Sequence, residues 1–151
     1  FTSEGATVVL ASRTLSRLEE VAREIKSGGG RAKAIQTDIS DDKQVQRMVA
    51  QTLDEYGQID ILVNNSAAPG TVPANVVDIV PDNWKRTVDV NLTGTMLCCR
   101  EVLKTMIPRK SGNIVNISSV AGITGHPMLS DYGATKWAII GLTETLPNRR
   151  C

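Results

Sequence analysis

Tyr132 and Lys136 stand four residues apart near the start of a predicted helix, so their side chains share one face. A tyrosine with a reference pKa of about 10 is a poor acid or base at neutral pH. An ammonium held beside it favours the phenolate and brings the phenol toward the working range. On spacing alone, a surface tyrosine and a surface lysine are the commoner reading of Tyr-x-x-x-Lys. The context is richer than the pair. Ser119 stands 13 residues before Tyr132, in Ile117-Ser118-Ser119-Val120-Ala121-Gly122, immediately after a predicted strand. Asn64-Asn65 follow another predicted strand, and Asn91 lies inside a long helical pattern as Val90-Asn91-Leu92-Thr93-Gly94.

Strand and helix patterns alternate along the whole chain. Thr7 to Ser12 is a short apolar run suited to a buried parallel strand, followed by Leu15, Leu18, Ala22 and Ile25 at helical spacing. Ser27-Gly28-Gly29-Gly30 stops that helix; glycines that follow a helix are punctuation, whereas a phosphate cradle needs the reverse order. Arg31 to Thr37 reads as an edge strand. Ser40-Asp41-Asp42 supplies cap chemistry for a helix whose core face would be Val45, Val49, Leu53 and Tyr56, and Gly57 ends it. Ile59 to Asn64 is a strand and 66–80 a loop. A long helix from about Asp82 places Trp84, Val88, Leu92, Met96, Cys99 and Leu103 along one face, with Pro108 and Gly112 closing it. Asn113 to Ser118 is a strand, 120–130 a loop, and Asp131 opens the last helix. Such alternation implies a parallel sheet with helices on both faces, whose ligands bind beyond the carboxyl ends of the strands. Arg13, Asp38, Asn64-Asn65 and Ser119 each follow a strand.

The 151 residues are 41% hydrophobic and 22% charged, ordinary for one globular domain, and no repeat or second domain is visible. A formal net charge of +1 gives no electrostatic case for nucleic acid or an anionic membrane, and no apolar run is long enough to span one. Cys98, Cys99 and Cys151 form no C-x-x-C, and the single histidine leaves no metal-ligand pattern. Cys98 and Cys99 read as reduced packing residues. The glycosylation triplets at Asn91 and Asn116 sit in element-like stretches and read as chance matches in a cytoplasmic protein. The chain begins at Phe1 with no signal-peptide pattern, as a piece that has lost its true start would.

The stretch from Asn113 to Gly141 resembles the short-chain dehydrogenase/reductase family. The resemblance continues through Asp60-Ile61-Leu62-Val63-Asn64-Asn65 and Asp38-Ile39, covers nearly the whole chain to about Leu146, and points to ketoacyl-reductase-like, sugar- and steroid-type members. It implies an α/β fold with a doubly wound parallel sheet, Rossmann-like and three-layered. Residues 1–151 would form a single partial dinucleotide-binding domain that lacks the first strand with its Gly-rich turn and the last strands. It also implies hydride transfer between a nicotinamide cofactor and a carbonyl or secondary alcohol. Tyr132 would be the general acid, Lys136 would tune it and bind the nicotinamide ribose, Ser119 would hold the substrate oxygen, and Asn91 would anchor a relay water.

At the cofactor's adenosine end, the resemblance assigns Ser12, Arg13, Asp38, Ile39 and Asn65. Arg13, with no acid at Ala11 or Ser12, favours NADP(H) over NAD(H), because a basic residue there accommodates a 2′-phosphate. Homo-oligomers, dimers or tetramers, would form through the helices of Asn91 and Tyr132. Two departures stand out: Ser66-Ala67 replaces the family's Ala-Gly, which requires a negative φ at Ala67, and 146–151 leave the family's pattern. The truncated chain would be inactive alone. The alternative is a non-catalytic piece keeping only an interaction surface. A phosphoacceptor domain of similar layout would need an acidic pair after its first strand and a lysine after a late one, and neither is arranged that way. Two structural expectations follow: a wide turn near Asn91, and no ladder between Val9 and Leu62, whose strands would flank the absent first strand.

Overall fold

The computed structural model describes residues 1–70 and 73–146, which form two compact units, Phe1–Gln58 and the chain from Ile59 onward. In the first unit, β1 (Thr7–Ser12), α1 (Leu15–Ser27), β2 (Arg31–Gln36) and α2 (Asp42–Tyr56) follow one another. β1 and β2 pair in parallel from Thr7↔Arg31 to Ser12↔Gln36. Leu18 and Ala22 of α1, Ala32 and Ile35 of β2, and Val45, Met48 and Val49 of α2 supply the buried apolar side chains. Asp41 caps α2 by accepting from Gln44 N at 3.1 Å, and Gly57 ends it at φ 75. Lys33 on β2 and Glu55 on α2 form an ion pair. The buried stripe of α2 is Val45, Met48, Val49 and Thr52, while Tyr56 is exposed. Val45 and Val49 of the expected core face are buried and Leu53 is half-buried, while Tyr56 is exposed and Met48 and Thr52 complete the buried stripe.

The second unit holds β3 (Ile61–Asn64), α3 (Pro81–Val88), α4 (Gly94–Arg109), β4 (Asn113–Asn116) and α5 (Ser130–Thr145). β3 and β4 pair in parallel from Ile61↔Asn113 to Asn64↔Asn116, and Ile117 N prolongs the ladder to Asn64 O at 3.0 Å. Alternate residues Ile61, Val63, Val115 and Ile117 are exposed. On the half-buried face, Asn64 Nδ2 donates to Asn116 Oδ1 at 2.9 Å and to Cys99 Sγ at 3.3 Å. Among the described strands β1 pairs with β2 and β3 with β4.

The long helix expected from Asp82 onward is interrupted. A π-helical turn, Asp89–Thr93, separates α3 from α4 and supplies the wide turn expected around Asn91. It also changes which residues face inward. Trp84 and Met96 are exposed, and the buried stripe runs Thr87, Asn91, Thr95, then Cys98, Val102 and Met106. Of the predicted apolar face, Cys99 is buried and Val88, Leu92 and Leu103 are half-buried, while Trp84 and Met96 turn outward because the stripe nearest the site is polar. Pro108 lies inside the last turn of α4 and Lys110 ends it in the left-handed region at φ 52. Cys98 and Cys99 are free and buried, and burial pushes the Cys98 thiol up to about 12. Cys151 lies outside the described residues. No described helix is long and apolar enough to cross a membrane.

Candidate active site

The second unit gathers Asn91, Ser119, Tyr132 and Lys136. Lys136 is 4% exposed, a costly place for an ammonium unless it is hydrogen-bonded. Its Nζ donates to the Ile117 carbonyl at 2.7 Å and lies 5.5 Å from the centroid of the half-buried Tyr132 ring. Burial lowers its pKa from the usual lysine range. With one of its three donors on Ile117 O, the ammonium has two left for other acceptors.

The two serines after β4 do different work. Ser118 Oγ donates to the Lys136 carbonyl at 2.8 Å, which commits its proton and pins the strand end to α5. Ser119 Oγ instead accepts from Ala121 N at 3.2 Å, capping a short turn at Val120–Gly122. A hydroxyl that accepts in this way keeps its own proton for another oxygen. Gly122 lets this segment approach α5: a β-carbon there would lie 2.7 Å from Lys136 O.

Asn91 is 2% exposed and fully engaged through its side chain. Oδ1 accepts from Ala68 N at 2.6 Å, and Nδ2 donates to Ala68 O and to Thr135 Oγ1, each at 3.1 Å. It thus clamps the loop that follows Asn64-Asn65. Its main-chain carbonyl accepts from Thr95 Oγ1 at 2.8 Å. Asn65 is exposed at the end of β3, and Ala67 is not among the residues with positive φ, as its replacement of glycine requires.

In the first unit, the ends of β1 and β2 lie side by side, with Thr37 N donating to Ser12 O at 2.9 Å. Gln36 Nε2 donates to Arg13 O at 2.9 Å, fixing the backbone from which the exposed Arg13 side chain extends. No described carboxylate pairs with Arg13. Asp38 Oδ1 accepts from Ser40 N at 3.0 Å and Ser40 Oγ at 2.6 Å, which fixes the carboxylate and leaves Oδ2 for a partner. Ile39 beside it is half-buried.

Residues 1–149 match the family described as short chain dehydrogenase. The chain belongs to the short chain dehydrogenase family. A 3-oxoacyl-(acyl-carrier-protein) reductase of Synechocystis sp. is 37% identical over 139 residues, which are 92% of this chain and 56% of that protein. A solved variant of actinorhodin polyketide ketoreductase with NADPH matches at TM-score 0.91 and 30% identity, over 95% of this chain and 55% of that one. NAD+-bound xylitol dehydrogenase matches at TM-score 0.90 and 33% identity, over 94% and 54%. The fold is accordingly the Rossmann-like α/β fold of this oxidoreductase family, and the chain spans about half the length of the relatives it matches.

The sequence singled out neither Thr87 nor Thr135, and it read Asp131 only as the start of a helix. All three are buried beside the site. The available signal was polar residues four apart on each helix, Thr87 with Asn91 and Asp131 with Thr135.

Proposed function

We propose that this chain carries the catalytic centre of an NADP(H)-dependent oxidoreductase that reduces a carbonyl or oxidises a secondary alcohol. The observation that carries this reading is the buried Lys136 ammonium beside the Tyr132 ring, with the Ser119 hydroxyl proton uncommitted nearby in sequence. A bound nicotinamide supplies the hydride in such chemistry, leaving orientation and one proton to the protein. Tyr132 Oη donates that proton to the substrate oxygen as negative charge develops on it. Ser119 Oγ–H hydrogen-bonds the same oxygen. The Lys136 ammonium stabilises the phenolate left behind, more strongly in its buried setting than in water. The remaining Lys136 donors suit the hydroxyls of a ribose, and the wide turn at Asn91 is the place for a relay water.

The donor set of the first unit fits the adenosine end of a phosphorylated dinucleotide. Arg13 offers a guanidinium to a 2′-phosphate, Asp38 Oδ2 can accept from an adenine amino group, and Ser12 and Ile39 flank them. The relatives themselves include one solved with NADPH and one with NAD+, so the preference for NADP(H) rests on Arg13. Both units are read as parts of one partial dinucleotide-binding domain. The exposed Met96 and Trp137 on α4 and α5 support self-association through those helices.

Among the described residues no Gly-rich turn leads from a strand into a helix, and that turn normally holds the pyrophosphate. Alone, the chain is expected not to turn over. The test is to follow NADPH and NADH oxidation by the full-length gene product over a panel of ketones and ketoacyl thioesters. Turnover that prefers NADPH and is lost in Tyr132→Phe supports the reading, and undiminished turnover in Tyr132→Phe overturns it.

A further inference from the structure

Tyr132 is held at both of its backbone groups by side chains that are almost wholly buried. Its N–H donates to Asp131 Oδ1 at 2.7 Å, and its carbonyl accepts from Thr135 Oγ1 at 2.7 Å. Each of those side chains is in turn met by the helix opposite. Thr135 Oγ1 accepts from Asn91 Nδ2 at 3.1 Å. Asp131 Oδ2 lies 3.4 Å from Thr87 Oγ1, whose proton it shares with the nearer Asn83 carbonyl at 2.9 Å. Thr87, Asn91, Asp131 and Thr135 are 2%, 2%, 1% and 2% exposed. Two polar contacts therefore join α3 and its π turn to α5, one helical turn apart and on either side of Tyr132.

Apolar side chains of similar volume would pack these helices at least as tightly, because a polar pair taken from water contributes little net stability. What the pairs add is phase. A hydroxyl or carboxylate is satisfied at one rotation of α5 about its axis, whereas apolar side chains tolerate several packings. Gly70 closes the arrangement from the loop side: at φ 85, a β-carbon there would lie 2.9 Å from Asp131 Oδ1 and 3.1 Å from Tyr132 Cβ. Among the described residues no buried side-chain polar atom is left without a partner, so the network is satisfied as it stands.

We propose that Asp131 and Thr135 are positioning residues for Tyr132, with Thr87 and Asn91 as their anchors on the opposite helix. Together they fix the rotation of α5 and hence the point at which the Tyr132 hydroxyl meets its substrate. This inference rests on the role of Tyr132 proposed above. It makes Asn91 an anchor of the α5 register in addition to any part in proton relay.

The test uses the full-length gene product and isosteric changes. Thr135→Val keeps the shape and removes the hydroxyl, and Asn91 Nδ2 retains its bond to Ala68 O, so the fold is expected to survive. The expected result is a fall in kcat of about 10- to 100-fold, as misplacement of a reacting group by a fraction of an ångström produces. KM and the NADPH Kd should stay within about twofold, since ground-state binding is untouched. Thr135→Ser should restore turnover. In a Tyr132→Phe background, Thr135→Val should cost nothing further, because groups that act as a unit are not additive.

Should Thr135→Val fail to fold, the Asp131 pair decides. Asp131→Asn keeps an acceptor for Tyr132 N–H and should retain turnover, and Asp131→Leu should lose it. Full turnover in Thr135→Val, an equal further loss in the Tyr132→Phe background, or Asp131→Leu as active as Asp131→Asn would overturn the proposal. Undiminished turnover in Tyr132→Phe itself would instead overturn the underlying role of Tyr132.

Discussion

Gly122→Ala places a methyl group in the contact that aims Lys136. The new β-carbon would lie 2.7 Å from the Lys136 carbonyl oxygen and 2.9 Å from its carbonyl carbon, and it would strike the Ser118 hydroxyl. Non-bonded heavy atoms prefer roughly 3.5–4.0 Å, so α5 or the Ser119 turn must withdraw by about 1 Å. Overpacking of this kind costs about 1–3 kcal/mol. Loss of the bond from Ser118 Oγ to Lys136 O adds about 1 kcal/mol. The sum, about 2–4 kcal/mol, is a large share of the roughly 5–15 kcal/mol that holds a domain together. It corresponds to a fall in Tm of roughly 5–15 °C for a chain of this size.

Gly141→Ala is the matched control. It lies inside α5 with nothing within 4 Å of its would-be β-carbon, so it should stabilise the protein, by about 0.5–1 kcal/mol, through helix propensity alone. Urea denaturation of both variants beside the parent protein measures the two effects with opposite signs. A Gly122→Ala midpoint equal to that of the parent would refute the close approach of the Ser119 turn to α5.

Other expectations follow from single contacts. Asn64→Leu leaves Asn116 Oδ1 with only the Cys99 thiol and should cost about 1–3 kcal/mol in chemical denaturation, and adding Asn116→Leu should not double that cost. Cys98, held near 12 by burial, keeps its proton when folded. Its contribution to stability is complete below the unfolded thiol's pKa of about 8.5 and is lost as pH rises from there toward 12. Thiol labelling at pH 8 should accordingly spare Cys98 until the protein is unfolded. Arg13→Glu in the full-length gene product should weaken NADPH binding by about tenfold or more while leaving NADH nearly unchanged, because a phosphate loses its partner and meets a like charge. Equal losses for both cofactors would show that Arg13 does not read the 2′-phosphate.

Much of the architecture was legible because the local signals agreed. Asp41 before α2, Gly57 after it and the apolar run of β1 mark boundaries that the structure keeps within a residue or two. Ser119 could be preferred over Ser118 on spacing, and the structure adds a physical reason, since the Ser118 proton is spent on α5. The inward face of α3 and α4 was legible only in part, at Cys99. Apolar periodicity points to Trp84 and Met96, yet the residues that turn inward are Thr87, Asn91 and Thr95, and the π turn shifts the phase between them. Hydrophobic patterning does not register polar side chains that are buried because they are paired. Two of them, Thr87 and Asn91, are the anchors proposed for Asp131 and Thr135 and so for Tyr132.

The most direct test of the account is to follow the hydride itself. The full-length gene product is incubated with a ketone substrate and NADPH deuterated at the transferable position of the nicotinamide, and the product alcohol is examined by mass spectrometry. Hydride transfer assisted by Tyr132 places deuterium on the carbinol carbon of product formed by the parent protein, and Tyr132→Phe forms none. Product without deuterium, or undiminished deuterated product from Tyr132→Phe, would contradict it.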